Sequence, residues 1–288
     1  MAARWLHVER QGLRFPVLDD GPRAGRAVLC LHGFPQDGTA FDAVRQRLSA
    51  AGSRVLVPHQ RGYAWEARPR GRSAYALPEL VSDAVAVLDA AEVNAAHVVG
   101  HDWGGALAWA LAARHGERVS GLTVLSTPHP RAMVAAALRG QGLRSGYIGI
   151  FQVPLLPEAV ALRHDAAVMR AALSRSGLPA DAVQRYVRRL QEPQALTRAL
   201  AWYRALPLGR AYGVGTVRVP TTYVWGTEDP FFARAAVLST GTWVAAPFRS
   251  IGLRTGHWLP ENRPVEVADV VLDGMAHRQA VPSRRKVG

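Results

Sequence analysis

Three side chains with catalytic potential each stand just after an apolar run: Asp102 in Val98-Val99-Gly100-His101-Asp102-Trp103-Gly104-Gly105, Asp229 in Gly226-Thr227-Glu228-Asp229-Pro230, and His257 in Thr255-Gly256-His257-Trp258-Leu259-Pro260-Glu261. The first has the form small-x-nucleophile-x-small, with an alanine-rich helix expected from Gly105 to Arg114. Such a turn is so tight that a β-carbon on either neighbour would clash, and it lifts one side chain clear of a sheet. An ionised aspartate there needs no base to activate it and can displace a leaving group from saturated carbon, forming an alkyl ester; serine would suit acyl transfer. Taken singly, Asp102 reads as a helix N-cap, Asp229 as another, and His257 as a hydrogen-bonded loop residue. Jointly, at strand ends and in the order nucleophile, acid, histidine, they point to catalysis. Asp229 would orient and charge-stabilise His257, which would take a proton from water to hydrolyse the ester. His32-Gly33-Phe34-Pro35 follows another strand, and the backbone amides of Phe34 and Trp103 would stabilise the resulting oxyanion. The His32 ring is assigned a structural hydrogen bond.

The elements that must position these groups alternate in type. Strands are expected near Trp5–Val8 and Leu13–Val17, the pair suited to an antiparallel edge, then at Ala27–Leu31, Arg54–Pro58, His97–Val99, Leu122–Ser126 and Thr221–Trp225. Helical patterns fall between them, the clearest from Pro78 to Ala91, with Leu80, Val81, Ala84, Val85, Val87 and Leu88 favouring one side and Glu79, Ser82, Asp83 and Asp89 the other. Alternation of this kind implies an α/β fold: a mostly parallel central sheet with helices on both faces. It stops between Pro128 and Pro220, where helical segments at Leu138–Ile150, Ala159–Ser174, Ala180–Gln191 and Ala195–Ala205 suggest an inserted helical cap above the strand carboxyl ends. The expected division is core at 1–128, cap at 129–219, core again at 220–277 and a flexible tail at 278–288.

With 288 residues, 49% of them hydrophobic, the chain suits one large α/β domain with an insertion. The formal charge of +13 comes almost wholly from scattered arginines, Lys286 being the single lysine, and only Arg284-Arg285-Lys286 forms a run. No basic stripe is interleaved with aromatics, so no nucleic-acid partner is expected. Cys30 is alone in an apolar strand, which excludes an internal disulfide. The first residues lack a signal-peptide core, and no run of eighteen apolar residues occurs, so a cytoplasmic protein without a membrane partner is expected. His59, His97, His101, His115, His129 and His164 lack metal-ligand spacing, Gly62 and Gly71 belong to no phosphate loop, and Ser73 lacks the elbow pattern. Neither metal nor cofactor is expected.

These residues resemble the epoxide hydrolase branch of the α/β-hydrolase superfamily, through His32-Gly33-Phe34-Pro35, Gly100-His101-Asp102-Trp103-Gly104-Gly105 with Ala108-Trp109, and Gly256-His257, over nearly the whole chain. The resemblance implies that two cap tyrosines hold the epoxide oxygen: Tyr147, four residues before Phe151-Gln152, and Tyr203, within Trp202-Tyr203-Arg204. Opening an epoxide leaves an alkoxide that must be protonated, which a phenol of pKa about 10 can do, whereas halide departure needs no proton. The rival haloalkane dehalogenases share the aspartate but cradle halide with indole or amide N–H groups, and Phe34 stands where many of them have Asn. A ligand-binding or cyclase member of the fold that completes no hydrolysis is the rival from another class. Phe34, Trp103, Phe151, Trp202 and Trp258 would wall an apolar pocket for a small lipophilic epoxide and water, in a monomer or homodimer. One departure stands out: His59-Gln60-Arg61-Gly62-Tyr63-Ala64 replaces the common Asp-x-Arg-Gly-x-Gly or Asp-x-Arg-Gly-x-Ser.

Overall fold

A computed structural model of the chain describes residues 3–209 and 213–276. The expected tail at 278–288 lies outside them. Eight strands among the described residues form one sheet: β1 (Arg4–Arg10), β2 (Leu13–Asp20), β3 (Ala27–Leu31), β4 (Arg54–Pro58), β5 (Ala96–His101), β6 (Val119–Leu125), β7 (Thr221–Gly226) and β8 (Phe248–Leu253). Their spatial order is β1-β2-β4-β3-β5-β6-β7-β8. β1 pairs with β2 and β2 with β4 antiparallel; every other pairing is parallel. Consecutive residues of β4 and β5 are all buried, as strands covered on both faces must be, whereas β1 alternates at its edge. The covering helices are α1 (Asp42–Ala50), α2 (Leu77–Ala90), α3 (Trp103–Arg114), α10 (Arg234–Ser239), α11 (Leu259–Asn262) and α12 (Pro264–Ala276). α1 packs on α12 and α2 on α3.

Helix α2 starts at a proline in its first turn, where the missing N–H costs nothing. It buries Leu80, Val81, Ala84, Val87 and Leu88 of the expected apolar stripe and leaves Val85 half-buried, but it also buries Asp83, which periodicity alone puts on the polar side. Arg61 explains the difference. Its guanidinium, only 1% exposed, grips Asp83 with two bonds of 2.6 and 2.7 Å, and Arg10 adds a third at 2.9 Å. A buried carboxylate is tolerable when it is paired and hydrogen-bonded in this way.

Between β6 and β7 the chain forms a helical insertion: α4 (Pro130–Ala135), α5 (Gln141–Arg144), α6 (Tyr147–Phe151), α7 (Leu156–Arg175), α8 (Ala180–Leu190) and α9 (Ala195–Arg204). The helix expected at Leu138–Ile150 is broken into a turn at Ala137–Arg139, α5 and α6. Gly140 sits at φ 97°, a left-handed conformation that ends a helix and that glycine adopts without strain. α7 covers the segment expected at Ala159–Ser174 but kinks where His164, Asp165 and Ala166 take positive φ. α8 and α9 match their apolar periodicity, and they tie the insertion to the core. Trp202 donates its indole N–H to the Arg61 carbonyl at 2.8 Å, Tyr186 its hydroxyl to Glu261 at 2.8 Å, and Arg68 pairs with Glu192 at 2.7 Å.

Candidate active site

Strand β5 ends at His101, and Asp102 turns the chain into α3 with φ 52° and ψ −120°. A non-glycine residue rarely adopts this conformation, at a cost of about 1–3 kcal/mol, and the surroundings enforce it. The Asp102 carbonyl accepts from Ala106 N–H at 3.1 Å and from the Thr127 hydroxyl at 2.8 Å. Gly104 must lack a β-carbon because one there would overlap the Leu31 and His32 carbonyls, and at Gly33 it would overlap the Asp102 side chain. With those approaches open, Asp102 Oδ1 accepts the Phe34 backbone N–H at 2.7 Å. Trp103 begins α3, so its N–H has no partner within the helix and faces the same end.

His257, brought in after β8, lies against both carboxylates. Its Nδ1 is 2.8 Å from Asp229 Oδ2, and its Nε2 is 3.7 Å from Asp102 Oδ2. Asp229 is itself fixed by the Phe231 N–H at 2.8 Å. Burial disfavours a charged imidazole, but Asp229 and then Asp102 outweigh it, and His257 is pushed up to about 10. Burial likewise opposes the charge on Asp102, yet the neighbouring His257 holds its carboxyl below the usual range. At neutral pH Asp102 therefore rests as a carboxylate and His257 as an imidazolium.

On the other side Tyr147 and Tyr203 bring their rings to 6.1 Å of each other. Tyr203 packs edge-on against Phe34 at 5.4 Å and Trp103 at 5.0 Å, and Phe151 reaches Phe34 at 5.9 Å and Tyr203 at 5.0 Å. Burial first and then the Asp102 charge push Tyr147 up, and burial, Tyr147 and Asp102 push Tyr203 up, so both keep their protons. Phe34, Trp103, Phe151, Tyr147 and Tyr203 thus form one aromatic cluster beside the Phe34 amide. Trp202 and Trp258 stand behind it, each 2% exposed, with their indole N–H groups taken by the Arg61 carbonyl and Ser176 Oγ. Trp202 backs Trp103 at 5.7 Å, and Trp258 backs His257 at 4.9 Å.

Several supporting residues carry no local sequence signal. Ser126 Oγ donates to the His257 carbonyl at 2.7 Å. Gln36 Oε1 accepts from Gly33 N–H at 2.9 Å and lies 2.8 Å from His101 Nδ1, while His101 Nε2 is 3.0 Å from the His257 carbonyl. Burial pushes His101 down to about 3, so its neutral ring carries one proton and serves one of these two acceptors at a time. Gln36 Nε2 donates in turn to Glu261, whose burial pushes that carboxyl up. His32 sits between the Gly33 carbonyl at 3.2 Å and Gln60 N–H at 3.3 Å, matching its expected structural role. Within the divergent segment, His59 stacks on Trp5 at 5.8 Å, while Tyr63 packs edge-on against His32 at 4.7 Å and senses the Asp102 charge.

A sheet of this order with a strained aspartate elbow defines a class, and the comparisons agree. The chain belongs to the α/β-hydrolase fold family, whose model matches residues 26–264. Within it the chain falls in the epoxide hydrolase branch. It is 30% identical to Epoxide hydrolase A of Mycobacterium tuberculosis (strain ATCC 25618 / H37Rv), over 92% of this chain and 95% of that one. It is 33% identical to the AB hydrolase superfamily protein YfhM of Bacillus subtilis (strain 168), over 92% and 96%. The crystal structure of Epoxide Hydrolase A from Mycobacterium thermoresistibile superposes with a TM-score of 0.82 at 25% identity, covering 96% of this chain and 98% of that one.

Proposed function

We propose that this chain is an epoxide hydrolase that opens its substrate to a vicinal diol through an ester on Asp102, with residues 129–219 acting as a cap over a core made of 1–128 and 220–277. The observation that carries this reading is an aspartate on the elbow with two protonated phenols in the same aromatic cluster.

Asp102 Oδ1 is held by the Phe34 amide, so Oδ2 is the attacking oxygen. It bonds to a ring carbon as the C–O bond of the epoxide breaks, and the freed oxygen takes a proton from Tyr147 or Tyr203. Esterification removes the charge of one of the two carboxylates that raise His257, so its affinity for a proton falls; its proton is given up to restore the phenol, and the neutral imidazole becomes a competent base. Asp229 still holds Nδ1. Water then gives a proton to His257 Nε2 and attacks the ester carbonyl carbon. The charge on Oδ1 is met by the amides of Phe34 and Trp103. Collapse of the tetrahedral intermediate breaks the bond from Cγ to Oδ2, the departing alkoxide takes the proton left on the water-derived oxygen, and the diol leaves carrying Oδ2 while Asp102 returns to a carboxylate and His257 to an imidazolium.

A single turnover in oxygen-18 water tests the scheme. The label is expected in the Asp102 carboxylate and not in the first diol released. Asp102→Ala abolishes turnover, and His257→Gln accumulates a peptide heavier by the mass of the epoxide. Label appearing directly in the first diol, or no adduct in His257→Gln, removes the ester from the mechanism.

A further inference from the structure

Among the described residues fifteen large apolar side chains stand out into solvent, and eight of them fall within residues 134–160. Leu138 is 102% exposed and Leu143 91%. Exposed apolar residues scattered singly are ordinary; a concentration of them marks a contact surface. The exposed charges of this region are of one sense only, since its one carboxylate, Glu158, is buried and paired with Arg204. Residues 131–157 contain Arg131, Arg139 and Arg144 and neither Asp nor Glu. None of these guanidiniums meets a carboxylate: Arg131 lies over the Trp243 ring, Arg139 reaches the Ala135 carbonyl and Arg144 the Pro230 carbonyl. Leu138-Arg139 and Leu143-Arg144 repeat one pairing, an apolar chain beside a guanidinium.

The inner side of this segment is tied to the active site. Gln141 Nε2 donates to the Phe231 carbonyl at 3.1 Å, and its Oε1 accepts the Ala233 N–H at 2.8 Å. The Phe231 ring lies 6.1 Å from Tyr147 and 4.8 Å from His257.

We propose that residues 131–160 form a docking face for an anionic lipid surface, with the leucines entering the acyl boundary and Arg139 and Arg144 meeting headgroup phosphates. Buried apolar area combined with attraction to anionic lipid is how a protein rests on a bilayer without crossing it. The net charge of +13 works in the same direction. No helix among the described residues is long and apolar enough to span, and lying on a surface needs none. A second copy of the chain fits less well. An isologous contact would bring the arginines of both copies together with no exposed carboxylate on this face to meet them, because Glu158 is buried and already paired with Arg204. Docking would place Tyr147 and the pocket beside the bilayer, so that a lipophilic epoxide passes inward without crossing water. Only this last step rests on the epoxide hydrolase reading.

The test is sedimentation of the full chain with phosphatidylcholine vesicles and with mixed phosphatidylcholine and phosphatidylglycerol vesicles. The wild type is expected to bind the mixed vesicles and leave pure phosphatidylcholine largely unbound. The variant Leu138→Glu/Leu143→Glu is expected to lose about tenfold or more in affinity, whereas Trp5→Glu/Val265→Glu, with the same charge change on exposed residues elsewhere, binds nearly as the wild type does. Both variants keep wild-type turnover of a water-miscible epoxide without vesicles. Equal loss in the two variants reduces the effect to net charge and overturns the proposal, as does an absence of binding. A dimer in sedimentation equilibrium that only Leu138→Glu/Leu143→Glu dissolves gives the face to a second copy instead. Docking as expected in a protein that turns over no epoxide leaves the docking face standing and removes the activity.

Discussion

On the sheet side of the site, Asp102 is held through its side chain by the Phe34 N–H and through its carbonyl by Ala106 and Thr127, while Ser126 holds the main chain of His257. On the insertion side, Tyr147 begins a helix of 5 residues that follows Gly146 and contains Gly149, and Tyr203 lies on buried α9, its carbonyl accepting from Gln152 Nε2 at 2.8 Å. The charged wall is fixed mainly by hydrogen bonds to main-chain atoms, which hold a strained nucleophile in place. The tyrosine wall is uneven, one phenol inside a buried helix of 10 residues and the other at the start of a helix of 5 that is joined to it through Gln152 and Arg204. Precision of this kind is needed where a bond forms; a proton donor tolerates more play.

The sharpest way to break this contrast is to remove each phenol hydroxyl in turn. Tyr203→Phe is expected to slow ester formation by about 10²–10⁴, the usual range for a positioned acid, and Tyr147→Phe by distinctly less. Single-turnover rates check this, and equal losses would show that the two donors are equally well placed. A smaller effect concerns charge. His257 titrates near 10 in the folded protein against about 6.5 unfolded, so its contribution to stability is complete below about 6.5 and is lost as pH rises through about 10. Asp102→Asn imitates the loss of charge in the ester. It should lower the His257 titration seen by NMR and bring the alkaline loss of thermal stability to lower pH. An unmoved titration would leave Asp229 alone responsible. The smallest effects separate the walls themselves. Thr127→Val should cost about 1 kcal/mol in denaturant unfolding by removing its bond to Asp102. Gly149→Ala, where an added β-carbon meets nothing, should stay within about 0.5 kcal/mol of the wild type.

The contrast also explains what the sequence reveals. Asp102, Asp229 and His257 are legible because each follows a strand and stands in a turn whose glycines are needed within a few residues. Tyr147 and Tyr203 emerge only through resemblance, since helical periodicity marks neither. Ser126, Thr127, Gln36 and Glu261 escape because their meaning lies in distant partners; Gln36 and Glu261 meet across 225 positions. Asp83 is misplaced for the same reason, its burial depending on Arg61. The run from Leu138 to Ile150 has helical composition, but Gly140 adopts a left-handed conformation and breaks it.

Arg61 serves two masters at once: its guanidinium secures Asp83 on α2, and its carbonyl receives Trp202 from α9. A carbonyl is common to every amino acid, so this one anchor of the helical insertion makes no demand on the side chain that carries it, unlike the Tyr186–Glu261 and Arg68–Glu192 pairs. Loss of the Arg61 guanidinium would therefore release Asp83 while leaving the acceptor for Trp202 in place.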